Sequence, residues 1–331
     1  MKNTLIQLVE NRNVLFITTK NIDYIRNTQE IEILTKHAKQ LRIIYSNSKN
    51  YVVRIVVVWL KCLFTSKRKI DIVFEGFSPQ LLFPIQWMFR KKYILIDFFI
   101  SVYDTLVNDR RKIAPNSSLA KICHWLDTYT IHKANHVIVD TKSHGSYFEN
   151  EFAENEYEVL YLRANDKIYY PREQKKADEL KDKYVVLYFG SILPLQGIDI
   201  ILEAAEKLEE ISKLRFQIIG PVPEDIKRKE QDNVEYIQWL SQEQLSEYIA
   251  NADLCLAGHF NNTIDKAKRT IPGKAYIYEM MKKIMILGEN VANHELFEED
   301  EKHLFVEMGN SEALKECILA CMEKHGGERI N

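Results

Sequence analysis

The stretch VVLYFGSILPLQGIDIILEAAEKL, residues 185–208, decides the fold. It opens on a short, wholly apolar run, stops at Gly190, crosses a loop to Gly197 and continues with helical periodicity. An apolar run of that length, closed by glycine, has the pattern of a strand buried on both faces. Glycines at a strand-to-helix crossing let backbone N–H groups approach an anion at the positive end of the helix, although a tight turn alone would call for the same residues. Neither GxGxxG nor GxxxxGK[ST] occurs, which argues against nicotinamide dehydrogenases and P-loop NTPases.

The same rhythm runs outward in both directions. Strands are predicted at 185–190, 216–220, 234–237, 253–257, 284–287 and 303–306, and before them at 14–18, 42–45, 71–74, 93–98, 136–140 and 158–162, with amphipathic helical segments between. Alternation of this kind predicts an α/β protein with parallel sheets covered by helices. A polar, charge-dense link at 163–183 divides it into two Rossmann-like domains, 1–165 and 183–331. Ligands of such sheets bind at the carboxyl ends of the strands, so the expected site is a cleft across which the two domains face each other. The last helix is a candidate to pack back toward the first domain.

With 331 residues, 46% hydrophobic and 28% charged, the chain is long enough for two cores and is not of disordered or fibrous composition. Its five scattered cysteines include no CxxC pair, and the amino-terminal segment is interrupted by Glu10 and Arg12. Both features predict a cytoplasmic protein. The net charge of −2 conceals an asymmetry: residues 1–100 hold sixteen lysines and arginines against seven aspartates and glutamates.

Part of that excess lies at 49–69, KNYVVRIVVVWLKCLFTSKRK, where six cations and no acid accompany a long apolar run. The run is too short and too interrupted to span a bilayer, which takes about 20 apolar residues. Together with LLFPIQWMFRKK at 81–92, it predicts either a surface that lies against anionic lipid or two buried helices with charged ends. Nucleic acid is not an expected partner, because the cations alternate with aliphatics and not with stacking aromatics.

The stretch KAKRTIPGKAYIYEMMKKIMILGEN, residues 266–290, carries the sharpest chemical signal. Pro272 suits the first turn of a helix. Arg269 then stands just before that helix and Lys274 within its first turn, where the backbone field is already positive. A bound diphosphate would resolve the conflict by accepting hydrogen bonds from both the cations and the helix; a solvated basic loop is the alternative. Trp239, after a predicted strand, is placed either to stack on a nucleobase or to pack in the core. His259 lies on a loop, where it either reaches a ligand or is merely exposed. No HExxH, no clustered His or Cys and no DxD occurs, so chemistry without a protein-bound metal is expected.

These residues resemble a bacterial retaining glycosyltransferase of the GT-B fold, in the group 1 or family 4-like class that includes sucrose synthases and polysaccharide-assembly enzymes. The resemblance covers roughly residues 70–320. It rests on DFFISVYDTLVNDR and LDTYTIHKANHVIVDTKSHGSYF in the first half, and on YFGSILPLQGIDIILEAA, GHFNNTIDKAKRTIPGK and MILGENVANHEL in the second. The family implies a nucleotide-sugar co-substrate on the second domain, a glycan or polyprenyl-linked acceptor on the first, and transfer with the anomeric configuration kept; no cofactor is implied. In family terms Gly190, Ser191, Gln196, Gly197, Trp239, Gly258, His259, Lys266, Arg269 and Lys274 would bind the donor. Arg269 and Lys274 would also stabilise the leaving nucleoside diphosphate, and Asp104 would be a catalytic residue of the first domain.

The pattern is not complete. Alignment on MILGEN puts Ile277 where the family's helix carboxylate usually holds the ribose, Arg269 where another acid would stand, and Ile284 in place of a proline. Three classes therefore stay open: a cytoplasmic glycosyltransferase, peripheral on the inner face of the cell membrane and serving polysaccharide biosynthesis; a catalytically degenerate partner subunit of another transferase; and a two-lobed small-ligand binding protein.

Overall fold

The computed structural model of the protein describes residues 4–153, 156–191, 193–222 and 231–326. The ends of both expected domain ranges, 1–3 and 327–331, lie outside the described residues. The chain divides into two compact units, Met1–Arg163 and Ala164–Asn331.

In the first unit the elements run α1 (Leu5–Val9), β1 (Asn13–Ile17), α2 (Ile25–His37), β2 (Gln40–Ile44), α3 (Tyr51–Phe64), β3 (Ile72–Glu75), α4 (Phe83–Gln86), β4 (Tyr93–Asp97), α5 (Ser118–Lys133), β5 (His136–Val139), α6 (Lys142–Phe152) and β6 (Tyr157–Val159). The six strands form one parallel sheet in the order β2-β1-β3-β4-β5-β6. The central strands are buried beyond their first residues, as their apolar runs require. Helix starts are set locally: Asn50, Ser117 and Thr141 accept N–H groups of the first turns of α3, α5 and α6. A π-helical turn, Asp104–Asp109, follows β4.

The second unit repeats the plan with β7 (Tyr184–Phe189), α7 (Ile198–Glu206), β8 (Leu214–Ile219), β9 (Val234–Ile237), α8 (Gln242–Asn251), β10 (Leu254–Gly258), α9 (Lys266–Arg269), α10 (Gly273–Met280), β11 (Met285–Gly288), β12 (His303–Val306) and α11 (Ser311–Gly326). Its sheet is also parallel, in the order β12-β11-β10-β7-β8-β9. The last helix packs on α7 and β12, with Leu314, Ile318 and Cys321 in the core of this unit.

The expected α/β architecture, two parallel sheets with helices, is therefore what the chain adopts. One local reading changes. Pro272 is the cap residue of α10 and not its first helical residue, and Lys266, Lys268 and Arg269 form a separate short helix. Lysine and arginine at that helix's carboxyl end suit its dipole. Of the four cations, Lys274 alone sits in the first turn of α10.

Candidate functional site

The second unit gathers its polar side chains at the carboxyl ends of β7 and β10. Strand β7 ends at Gly190, and the chain continues through exposed Ser191 and the turn Pro194–Gln196 to Gly197, the first-turn cap of α7. Gly197 has φ +68°, and a Cβ there would meet the backbone of Phe260 and Asn261 at 2.7 Å, so only glycine fits. The loop after β10 is tied to it: the N–H of Phe260 donates to the Gln196 carbonyl at 3.2 Å. Strand β10 ends at buried Gly258, after a register shift against β11, and His259 follows, 5% exposed.

Lys274 enters this space from the first turn of α10 and is only 5% exposed. Its Nζ donates to Gln196 Oε1 at 2.7 Å and lies 4.1 Å from the centre of the Tyr188 ring. The Tyr188 hydroxyl donates to the same Gln196 oxygen. Among the described residues no carboxylate pairs with Lys274, and burial pulls its ammonium down to about 7. No acidic side chain stands in the first turn of α10, and no side chain caps it. His259 is held neutral, its pKa lowered to about 3 by burial and then by the charges of Lys274 and Lys266. Its Nδ1 is buried without a hydrogen-bond partner among the described residues. A buried ammonium, an unengaged ring nitrogen and a helix start thus converge, and an anion with several acceptor oxygens matches all three.

Gly190, Gln196, Gly197, Gly258, His259, Lys266 and Lys274 are brought together. Arg269 closes α9 and is half-buried. Trp239 lies beyond β9 at the edge of the sheet, 64% exposed, with β8 between that strand and β7. Ile277 is buried in α10, while Glu279, two residues on, meets His303 Nε2 at 2.7 Å. Tyr188 was not among the expected site residues; it lies inside an apolar strand, where sequence gives no sign that its hydroxyl reaches a polar partner. A cavity of about 430 Å³ lies at the opposite, amino-terminal ends of β7, β8 and β9, beside Lys183, Leu214 and Asn233, and is not part of this cluster.

In the first unit Asp104 is fully buried at the start of the π-helical turn, its N–H donating to Ser101 Oγ at 2.9 Å and its Oδ1 accepting from Asn108 at 3.0 Å. Ser101 in turn donates to Asp127 Oδ2 at 2.7 Å, and the N–H groups of Val102 and Tyr103 donate to the same carboxylate. Asp104 therefore sits in a built hydrogen-bonded corner of its own unit.

Comparison with known proteins supplies the class. Residues 183–324 match the model of the family described as Glycosyl transferases group 1. The second unit carries a group 1 glycosyltransferase domain, and the chain as a whole has the GT-B fold. Among solved structures, sucrose-phosphate synthase from Thermosynechococcus elongatus superposes with a TM-score of 0.67 at 12% identity, over 96% of this chain and 91% of that one. HepE from Anabaena, in complex with UDP and glucose, gives 0.63 at 10% identity over 96% and 92%, and a glycosyltransferase from Rickettsia africae 0.59 at 14% over 97% and 90%. At such identities the likeness is one of fold. No curated protein sequence matches the chain.

Proposed function

We propose that the protein transfers a sugar from a nucleotide-sugar donor, held by its diphosphate at Lys274 and the start of α10, to a lipid-linked or growing surface-polysaccharide acceptor on the first unit. The observation that carries this reading is the burial of Lys274 without a carboxylate, inside a group 1 glycosyltransferase domain. As the bond between the anomeric carbon and the diphosphate breaks, negative charge grows on the leaving phosphate, and a fixed cation and helix start stabilise that charge most when it is largest. Among the described residues no group of three or more His, Cys, Asp or Glu is placed to hold a metal ion. The reading is therefore of transfer that continues in chelator, and, as in the family this chain resembles, with the anomeric configuration kept.

UDP is the first ligand to try, since the HepE complexes contain it. Lys274→Ala is expected to weaken nucleoside diphosphate binding about ten- to a hundredfold in calorimetric titration, and to lower turnover as well. Arg269→Ala is the companion variant. Unchanged affinity in both, or no nucleotide binding by the parent, would overturn the reading.

The acceptor side is supported by one surface of the first unit. Val52, Val56, Leu60 and Phe64 form an exposed stripe along α3, and Trp87 is 65% exposed beyond α4. Phe83 carries the patch on to Trp125 of α5, their ring centres 5.4 Å apart. Exposed Arg68, Lys69, Arg90 and Lys91 accompany it. Among the described residues no helix is long and apolar enough to cross a membrane, and an apolar face flanked by cations fits the surface of an anionic bilayer. Replacing Lys67, Arg68 and Lys69 with Gln should weaken cosedimentation with anionic vesicles, by on the order of 1 kcal/mol per cation; equal binding would remove them from the surface.

A further inference from the structure

The side chain of Gln196 engages the two donors at the heart of the cluster. Its Oε1 accepts from the Lys274 ammonium and from the Tyr188 hydroxyl, one charged donor and one neutral. Room for it exists because residue 190 has no side chain: a Cβ at Gly190 would lie 2.8 Å from that oxygen and 3.5 Å from Lys274 Nζ. The backbone of Gln196 is fixed, its carbonyl accepting from Phe260 and the neighbouring Gly197 in a left-handed conformation. Its side chain is half-buried, so the carboxamide can rotate out without moving the loop.

We propose that Gln196 is a placeholder: its amide oxygen satisfies Lys274 and Tyr188 while the site is empty, and a phosphate oxygen of the incoming nucleotide displaces it and takes over both donors. This rests on the donor reading above and adds a source of specificity to it. A neutral amide oxygen is a weaker acceptor for an ammonium than a charged phosphate oxygen, which adds the attraction of opposite charges. A phosphate therefore gains by the exchange. A neutral sugar hydroxyl brought to the same position gains nothing by the exchange, and a nucleoside without phosphate leaves Gln196 in place. The residue acts through Lys274 and is a positioning residue for the donor, not one that touches the bond being broken.

The test uses the full chain with Gln196→Ala and Gln196→Glu. In the ligand-free protein, the pH dependence of Lys274 labelling by an amine-directed reagent, read by mass spectrometry, should move to lower pH in Gln196→Ala, which loses the acceptor. It should move to higher pH in Gln196→Glu, which gains a carboxylate. In calorimetric titrations, UDP should bind Gln196→Ala about three- to tenfold more tightly than the parent, while uridine, which brings no phosphate oxygen to displace the amide, should bind both alike. Gln196→Glu should bind UDP at least about tenfold more weakly. Weaker UDP binding by Gln196→Ala would make the amide a direct contact to the ligand and overturn the placeholder alone. So would unmoved labelling of Lys274 in both variants. If the parent itself binds no UDP, the donor reading falls first, and the displacement falls with it.

Discussion

Each unit buries one cation of particular interest, and the two are treated differently. Arg26, on α2 and 2% exposed, donates from Nε and Nη2 to the two oxygens of Asp97 at 2.9 and 2.7 Å, and from Nη1 to the Leu160 carbonyl. Glu30 lies beside it at 3.6 Å, but burial and the charge of Asp97 hold its carboxyl well above the usual range. The charge of Arg26 is thus met by Asp97, in the bidentate geometry that arginine favours. Lys274 is nearly as buried and, among the described residues, is met by an amide oxygen and a tyrosine ring. Removing a charge from water costs several kcal/mol unless a partner offsets it. The first cation has its counter-charge within the chain, as a structural ion pair does; the second has none among the described residues, which is what the proposed role in binding an anion requires.

The contrast breaks or holds most visibly in stability. Arg26→Met would leave Asp97 buried without its cation, and should cost about 3–5 kcal/mol in chemical denaturation. Lys274→Met should cost nothing and is expected to stabilise the ligand-free protein, because a strained charge is replaced by an apolar chain of similar length. Equal losses in the two variants would show that Lys274 is structural after all.

The pH dependence sharpens the same point. In the unfolded chain Lys274 keeps its proton up to about 10.5, and in the folded one only up to about 7. Between these values the unfolded state binds more protons, so this group's contribution to stability rises with pH across that window. Nucleotide binding has the opposite sign, since a diphosphate needs the protonated amine. Affinity for UDP should fall by up to about tenfold per pH unit above 7. Lys274→Arg, which stays protonated, should flatten that slope even if the affinity itself changes. A parent slope equal to that of the arginine variant would mean that the proton on Lys274 is not linked to the ligand.

Much of this was legible in the chain, because parallel strands buried on both faces are written as unbroken apolar runs, and the runs at 185–189 and 254–257 could hardly be anything else. Gly190 and Gly197 announced their crossing, since backbone approach and a left-handed turn leave no other residue as an option. What sequence did not show depends on contacts across long separations. Arg26 and Asp97 are 71 residues apart, and Lys274 and Gln196 are 78. Tyr188 reads as core because its ring is core; only its hydroxyl belongs to the site. The separate helix α9 was missed because four residues carry too little periodicity to be told from a loop.

The smallest expected effect concerns Trp239, which extends the comparison to a group with no charge. A tryptophan that serves the core is normally largely buried, and this one is 64% exposed at the edge of the second sheet. By the logic that separates Lys274 from Arg26, an apolar side chain left in water awaits a partner outside the chain. If that partner is the base of the nucleotide, Trp239→Ala should weaken UDP binding by about 1 kcal/mol, roughly fivefold, and leave inorganic pyrophosphate binding unchanged. Stability should hardly move, since little buried area is lost. The pair of ligands separates the outcomes: a loss confined to UDP puts the indole at the base, whereas equal affinities in variant and parent for both ligands would detach the edge of the sheet from the donor site and leave the cluster around Lys274 to stand without it.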